Sequence, residues 1–178
     1  METNNEARSV AKLLADIEVI LEAAIQEAVE KLRPYTQRQL EPDEIFACFE
    51  LWNLQNYGLN YNKFFARQND QGRINLDPDY EPVTEDASFI PELDKYMEDV
   101  FGNQEFELTQ AEDEEFSAEH EQQLFKWFAE CWWAAGGESS AVPTFFCFEK
   151  EGVCRDLKTA EVLSEVEAAR RLGYEVEV

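Results

Sequence analysis

Ile45-Phe46-Ala47-Cys48-Phe49-Glu50-Leu51-Trp52 decides the fold. The run is rich in β-branched and aromatic residues. Alternation places Ile45, Ala47, Phe49 and Leu51 on one face and Phe46, Cys48 and Trp52 on the other, so both faces are largely apolar. A strand apolar on both sides belongs in the middle of a sheet. Leu59 to Ala66 and Arg73 to Leu76 read as its antiparallel neighbours, with Tyr57-Gly58 and Gln71-Gly72 as turns. Thr144 to Glu149 and Gly152 to Leu157 read as a hairpin, and the alternating Tyr174-Glu175-Val176-Glu177-Val178 as an edge strand.

Helices flank these strands. From Val10 the apolar positions Leu13, Leu14, Ile17, Ile20, Leu21, Ala24, Ile25, Ala28, Val29 and Leu32 recur at helical spacing, preceded by a capping-box pattern at Thr3-Asn4-Asn5-Glu6. Pro34 should end this long helix, because the residue before proline is pushed out of the α region. Pro91 fits the first position of a short helix closing at Phe101-Gly102. Thr109-Gln110-Ala111-Glu112 is a second capping box, opening a helix to about Ala135 that Gly136-Gly137 ends. A last helix runs from about Thr159 to Leu172 before Gly173. The expected architecture is one α+β domain over 1–178. Its mostly antiparallel sheet packs against a long N-terminal helix, a central aromatic-rich helix and a C-terminal helix. No internal repeat is visible.

The 178 residues carry 39 Asp plus Glu against 15 Lys plus Arg, a formal net charge of −24, while 44% hydrophobic content is enough to fill a core. Such a balance argues against direct binding to nucleic acid or to an anionic membrane, both of which require a basic face. The acidic amino terminus lacks a basic n-region and an apolar h-region, and the longest uncharged run, Ser139 to Phe148, is too short to span a bilayer. A cytoplasmic location is therefore expected. The four scattered cysteines, Cys48, Cys131, Cys147 and Cys154, are expected as free thiols.

The charge is uneven. Between Asp77 and Glu121 seventeen acidic residues face Lys95 as the single basic one, a local balance of −16, with Pro78, Pro82 and Pro91 marking its first part as loop. Spread evenly over roughly 9,000 Å², the excess charges would stand roughly 20 Å apart, beyond the ~8 Å screening length. In this segment they crowd, most of all along Glu112, Glu115 and Glu119, where helical neighbours are ~5–6 Å apart. The fields overlap into a potential able to steer a basic partner.

Catalytic and ligand-binding patterns are scarce. His120 is the only histidine, so sites needing two imidazoles are excluded, and its place on the apolar face of the Gln110 helix reads as packing. Phe116, His120, Leu124, Trp127, Phe128, Cys131 and Ala135 share that face, with Glu112, Glu115, Glu119 and Glu130 toward the other. Neither GxGxxG nor GxxxxGK[ST] occurs, CxxC is absent, and Asp77-Pro78-Asp79 departs from a calcium loop. No catalytic residue, metal site or cofactor is assigned. Cys147 and Cys154 should face each other across the hairpin, where apolar neighbours Phe146 and Phe148 favour inert thiols over a redox pair. Trp133 lies opposite the apolar stripe. Either a neighbouring segment covers it or it anchors a partner.

Three functions fit this inventory: an acidic surface that serves only solubility; a docking face for a basic protein; or an enzyme or ligand-binding domain with a pocket lined by Trp52, Tyr57, Tyr61 and Trp132. In size and charge the chain is similar to small bacterial immunity and anti-nuclease proteins, which shield the basic active site of a toxin or nuclease. The likeness is one of composition, with no shared motif. The expectation carried forward is a non-catalytic protein-interaction domain that masks a basic surface, with Asp94, Glu98, Glu112, Glu115, Glu119 and Trp133 as its contact residues.

Overall fold

Helix α1 (Val10–Thr36) begins where Ser9 accepts the Lys12 N–H, and its inward stripe is Val10, Leu13, Ile17, Leu21, Ala28 and Leu32. The computed structural model describes residues 9–51, 57–68, 74–83, 88–102, 108–148 and 153–175, so the Thr3–Glu6 box and Trp52 lie outside the described residues. Contrary to the expected stop, the helix runs through Pro34 to Thr36. In the last turn a proline forfeits a single ladder bond. Buried Leu32 and Thr36 hold that turn in place, the Thr36 hydroxyl lying 2.9 Å from the carbonyls of Arg33 and Ala135.

Six strands follow in one sheet: β1 (Glu44–Leu51), β2 (Leu59–Gln68), β3 (Ile74–Pro82), β4 (Thr144–Phe148), β5 (Cys154–Asp156) and β6 (Val162–Leu163). Their order is β3-β2-β1-β4-β5-β6. Every pairing is antiparallel except β1 with β4, which is parallel. β1, which carries the apolar run as far as Leu51, is thus central, with seven of its eight residues buried. A register shift between Glu44 and Phe46 turns Ile45 from the expected face to join Phe46 and Cys48. The chain around Pro78 and Pro82 is β3 rather than loop, paired along its length with β2. It is an edge strand, where a proline's missing N–H interrupts no second ladder. Its carboxylates face cations on β2: Asp77 pairs with Arg67 at 3.0 Å, and Glu81 and Asp79 approach Lys63 at 3.4 and 3.9 Å.

Helices α2 (Pro91–Phe101), α3 (Gln110–Ala134) and α4 (Glu165–Arg171) complete the fold. α1 and α3 run in the same sense over one face of the sheet. Gln123 donates to the Leu14 carbonyl at 2.9 Å and Trp127 to that of Leu21 at 2.6 Å. α2 runs oppositely, its N-terminal approach at Phe89 meeting Trp127 and its end at Phe101 meeting Phe116. These helices and the sheet share a large core centred on Phe49, whose ring lies 4.8–5.5 Å from those of Tyr61, Phe128, Tyr35 and Trp132.

The other face carries a smaller core of Ile45, Phe46, Cys48, Phe64, Phe145, Cys154 and Leu163 under Ala168 and Ala169 of α4. α4 starts six residues later than expected, at a capping box in which Ser164 and Glu167 satisfy each other's backbone N–H groups. Upstream, the Asp156 carboxylate accepts the Lys158 and Thr159 N–H groups, and Ala160 adopts a positive φ of 61°. That turn breaks helical geometry and feeds β6. Tyr174 and Glu175 belong to no strand; Tyr174 instead packs against the smaller core, and 176–178 lie outside the described residues. No helix among the described residues is long and apolar enough to cross a membrane.

Candidate protein-docking face

The acidic segment divides in space. Its first three carboxylates sit at the β3 edge beside Lys63 and Arg67, as described above. Glu85, Asp86, Glu105 and Glu107 lie outside the described residues; the others lie on α2 and α3, and the Phe101–Phe116 contact of 5.8 Å sets the C-terminal half of α2 beside the N-terminal half of α3. Glu98 on α2 and Glu112, Asp113, Glu114, Glu115 and Glu119 on α3 are all exposed there. Glu98, Glu115 and Glu119 make no ion pair among the described residues. Glu112 to Glu119 covers two turns, about 10 Å of helix. Charges at this spacing lie within a screening length of their neighbours.

The six expected contact residues do not act alike. Glu112 is occupied: its carboxylate accepts from the Thr109 N–H at 2.9 Å and from the Thr109 hydroxyl at 2.6 Å, which holds its pKa below the ordinary carboxylate range. Its first task is to start α3, near whose positive end an anion is also favoured. A Thr109→Ala variant is expected to lose about 1 kcal/mol, read as a lower urea midpoint with an unchanged slope. Asp94 is half buried, and burial raises its carboxyl pKa against a weaker opposing hydrogen bond from Ser88. Glu98, Glu115 and Glu119 are left as the outward-directed set.

Trp133 is separate. Twenty-one residues of helix place it about 31 Å from Glu112 along α3. It is 42% exposed, and its indole N–H donates to the Leu157 carbonyl at 2.8 Å, so the β5–β6 connection covers it in part. Beside it is a cavity of about 260 Å³, also lined by Pro143, Leu157, Lys158, Arg171 and Leu172. Gly136 ends α3 with φ at 101°, and a side chain on Gly137 would collide with the Trp132 indole. The structure therefore does not bring Trp133 and the acidic ridge into one surface.

The remaining candidates are interior. His120 is fully buried, stacked on Phe116 and joined through Nε2 to the Tyr57 hydroxyl at 2.8 Å. Burial drives its pKa down to about 4, against a smaller upward pull from the Gln123 side chain. A neutral imidazole that accepts at Nε2 carries its proton on Nδ1. Tyr57, Tyr61 and Trp132, considered above as pocket lining, are 0–2% exposed core residues. Burial also pushes the Cys131 thiol up to about 12. α3 buries more than the expected stripe, since Phe125, Ala129 and Trp132 are enclosed too. Its C-terminal half lies against the sheet, with Phe128 stacked on Phe146 at 4.5 Å, and this leaves the acidic character to the N-terminal half.

Compared with known protein families, curated proteins and solved structures, the chain shows no significant match to any. The functional reading rests on this geometry.

Proposed function

We propose that this chain is a non-catalytic docking domain whose acidic α2–α3 face binds and masks a basic protein surface, in the manner of an immunity or nuclease-inhibitor protein. The observation that supports it is that Glu98, Glu115 and Glu119, exposed and without cationic partners among the described residues, stand with Asp113 and Glu114 on the adjoining halves of α2 and α3. Carboxylates around β1 and β2 are instead neutralised by nearby cations. Lys63 collects Glu41, Asp79 and Glu81, and Arg38 grips both oxygens of buried Glu44 at 2.8–2.9 Å. A negative surface left open attracts a complementary positive one and speeds its approach. Nucleic acid is disfavoured by the same sign, and the partner is a basic protein.

The test combines charge reversal with salt. The chain, immobilised and exposed to native lysate at about 50 mM salt, is expected to retain a basic protein that elutes by about 300 mM. The triple variant Glu98→Lys, Glu115→Lys, Glu119→Lys is expected to retain at least tenfold less of that protein while keeping the wild-type circular dichroism and melting midpoint. Glu112 stays untouched because its reversal would also remove the cap. Retention indifferent to salt and to the three reversals would refute the docking face.

A further inference from the structure

Three of the four thiols meet on the α4 side of the sheet, on adjacent strands. Cys147 on β4 is the register partner of Cys154 on β5, and its sulfur lies 3.2 Å from that of Cys48 on β1. Cys147 also pairs in register with Glu50, two residues beyond Cys48, so Cys48 and Cys147 leave the same face of the parallel β1–β4 pair. Cys48 and Cys154 are sealed in the smaller core at 2% and 1% exposure, whereas Cys147 is half-buried and reachable from solvent. Cys131 stands apart in the larger core. No three such groups among the described residues are arranged to hold a metal ion. The site has the chemistry of a dithiol.

We propose that Cys48 and Cys147 form a site of reversible two-electron oxidation by a small hydroperoxide, closing a disulfide between β1 and β4. The Cys147 sulfur, as thiolate, attacks one peroxide oxygen: an S–O bond forms, the O–O bond breaks, and the leaving oxygen takes up the proton that the Cys147 thiol released and departs as water or alcohol. Cys48 then attacks the sulfenic sulfur. The S–S bond forms as the S–O bond breaks, and the hydroxyl leaves as water with the second thiol proton. Two electrons pass from the sulfur pair to the peroxide. The sulfurs must close by about 1.2 Å to reach bonding distance. Cys154 faces Cys147 in register, but the sulfur in contact with Cys147 is that of Cys48, so Cys154 remains a thiol.

The experiment treats the full chain with about two equivalents of hydrogen peroxide, alkylates remaining thiols after denaturation, and maps the peptides by mass spectrometry. A joined peptide pair carrying Cys48 and Cys147 is expected, with Cys131 and Cys154 alkylated and all four thiols recovered after dithiothreitol. The Cys154→Ser variant is expected to form the same bond. Cys48→Ser is expected to carry Cys147 on to sulfinic acid, because the remaining neighbour, Cys154, faces Cys147 in register without the sulfur contact that Cys48 makes. A Cys147–Cys154 link, four alkylatable thiols after oxidation, or sulfinic acid at Cys147 in the unaltered chain would each overturn the proposal. Should Cys48→Ser not fold, the unaltered chain and Cys154→Ser decide between these outcomes.

Discussion

Phe49→Ala is expected to remove about 4 kcal/mol of stability and to lower the melting midpoint by about 10 °C. The ring is fully buried where β1, β2, α1 and α3 meet, within 5.5 Å of Tyr35, Tyr61, Phe128 and Trp132. Each neighbour is itself a large ring locked by others, so the site collapses poorly around a lost side chain and the cavity term adds to the transfer term. Tyr80, 61% exposed on the edge strand, provides the control. Its alanine variant should stay within about 0.5 kcal/mol of the parent. Urea titration of both proteins measures the contrast, and equal losses would disprove the central place given to Phe49.

Acid should act through His120. Its folded-state pKa, near 4, lies below the ordinary 6.5 because burial disfavours the imidazolium. Below pH 6.5 the unfolded chain therefore binds a proton that the folded chain resists. The stability associated with neutral His120 is intact above about pH 6.5, falls as pH drops toward 4, and levels off below that. The loss amounts to about 3 kcal/mol over the window. Other groups titrate nearby. Asp94 and Glu165, raised by burial, act in the opposite sense, and Glu41, lowered chiefly by its hydrogen bond with Lys63, adds a loss at the acid end. The difference between parent and His120→Gln isolates the histidine, because glutamine still offers an acceptor to the Tyr57 hydroxyl. Unfolding free energies measured every half pH unit from 7.5 to 4 should show the parent declining more steeply than the variant; parallel curves would contradict a neutral buried imidazole.

The two cores separate the proposed activities. The acidic ridge belongs to the helical layer, whereas the Cys48–Cys147 contact belongs to the α4 face of the sheet. Charge reversal on α2 and α3 and thiol oxidation between β1 and β4 therefore probe different sides of the molecule. A failure of one leaves the other standing.

Local signals carried much of the architecture. The Thr109 capping box starts α3, Pro91 and Gly102 bound α2, the stripe from Val10 to Leu32 buries α1, and the doubly apolar Ile45 run occupies the sheet centre. Caps, breakers and periodicity act within a few residues of chain, so the amino-acid order alone specifies them. Tertiary structure decided the rest. Pro78 and Pro82 fit a strand because β3 has a single neighbour, and Thr36 extends α1 past Pro34 because Ala135 offers it a carbonyl. The acidic segment splits because β2 brings Lys63 and Arg67 to one part of it, and Trp133 stands a full helix length from the ridge it was expected to join. The thiol contact joins residues 99 positions apart in the chain. Which groups neutralise, cover or touch one another depends on the partner that folding delivers, and no local pattern encodes that partner.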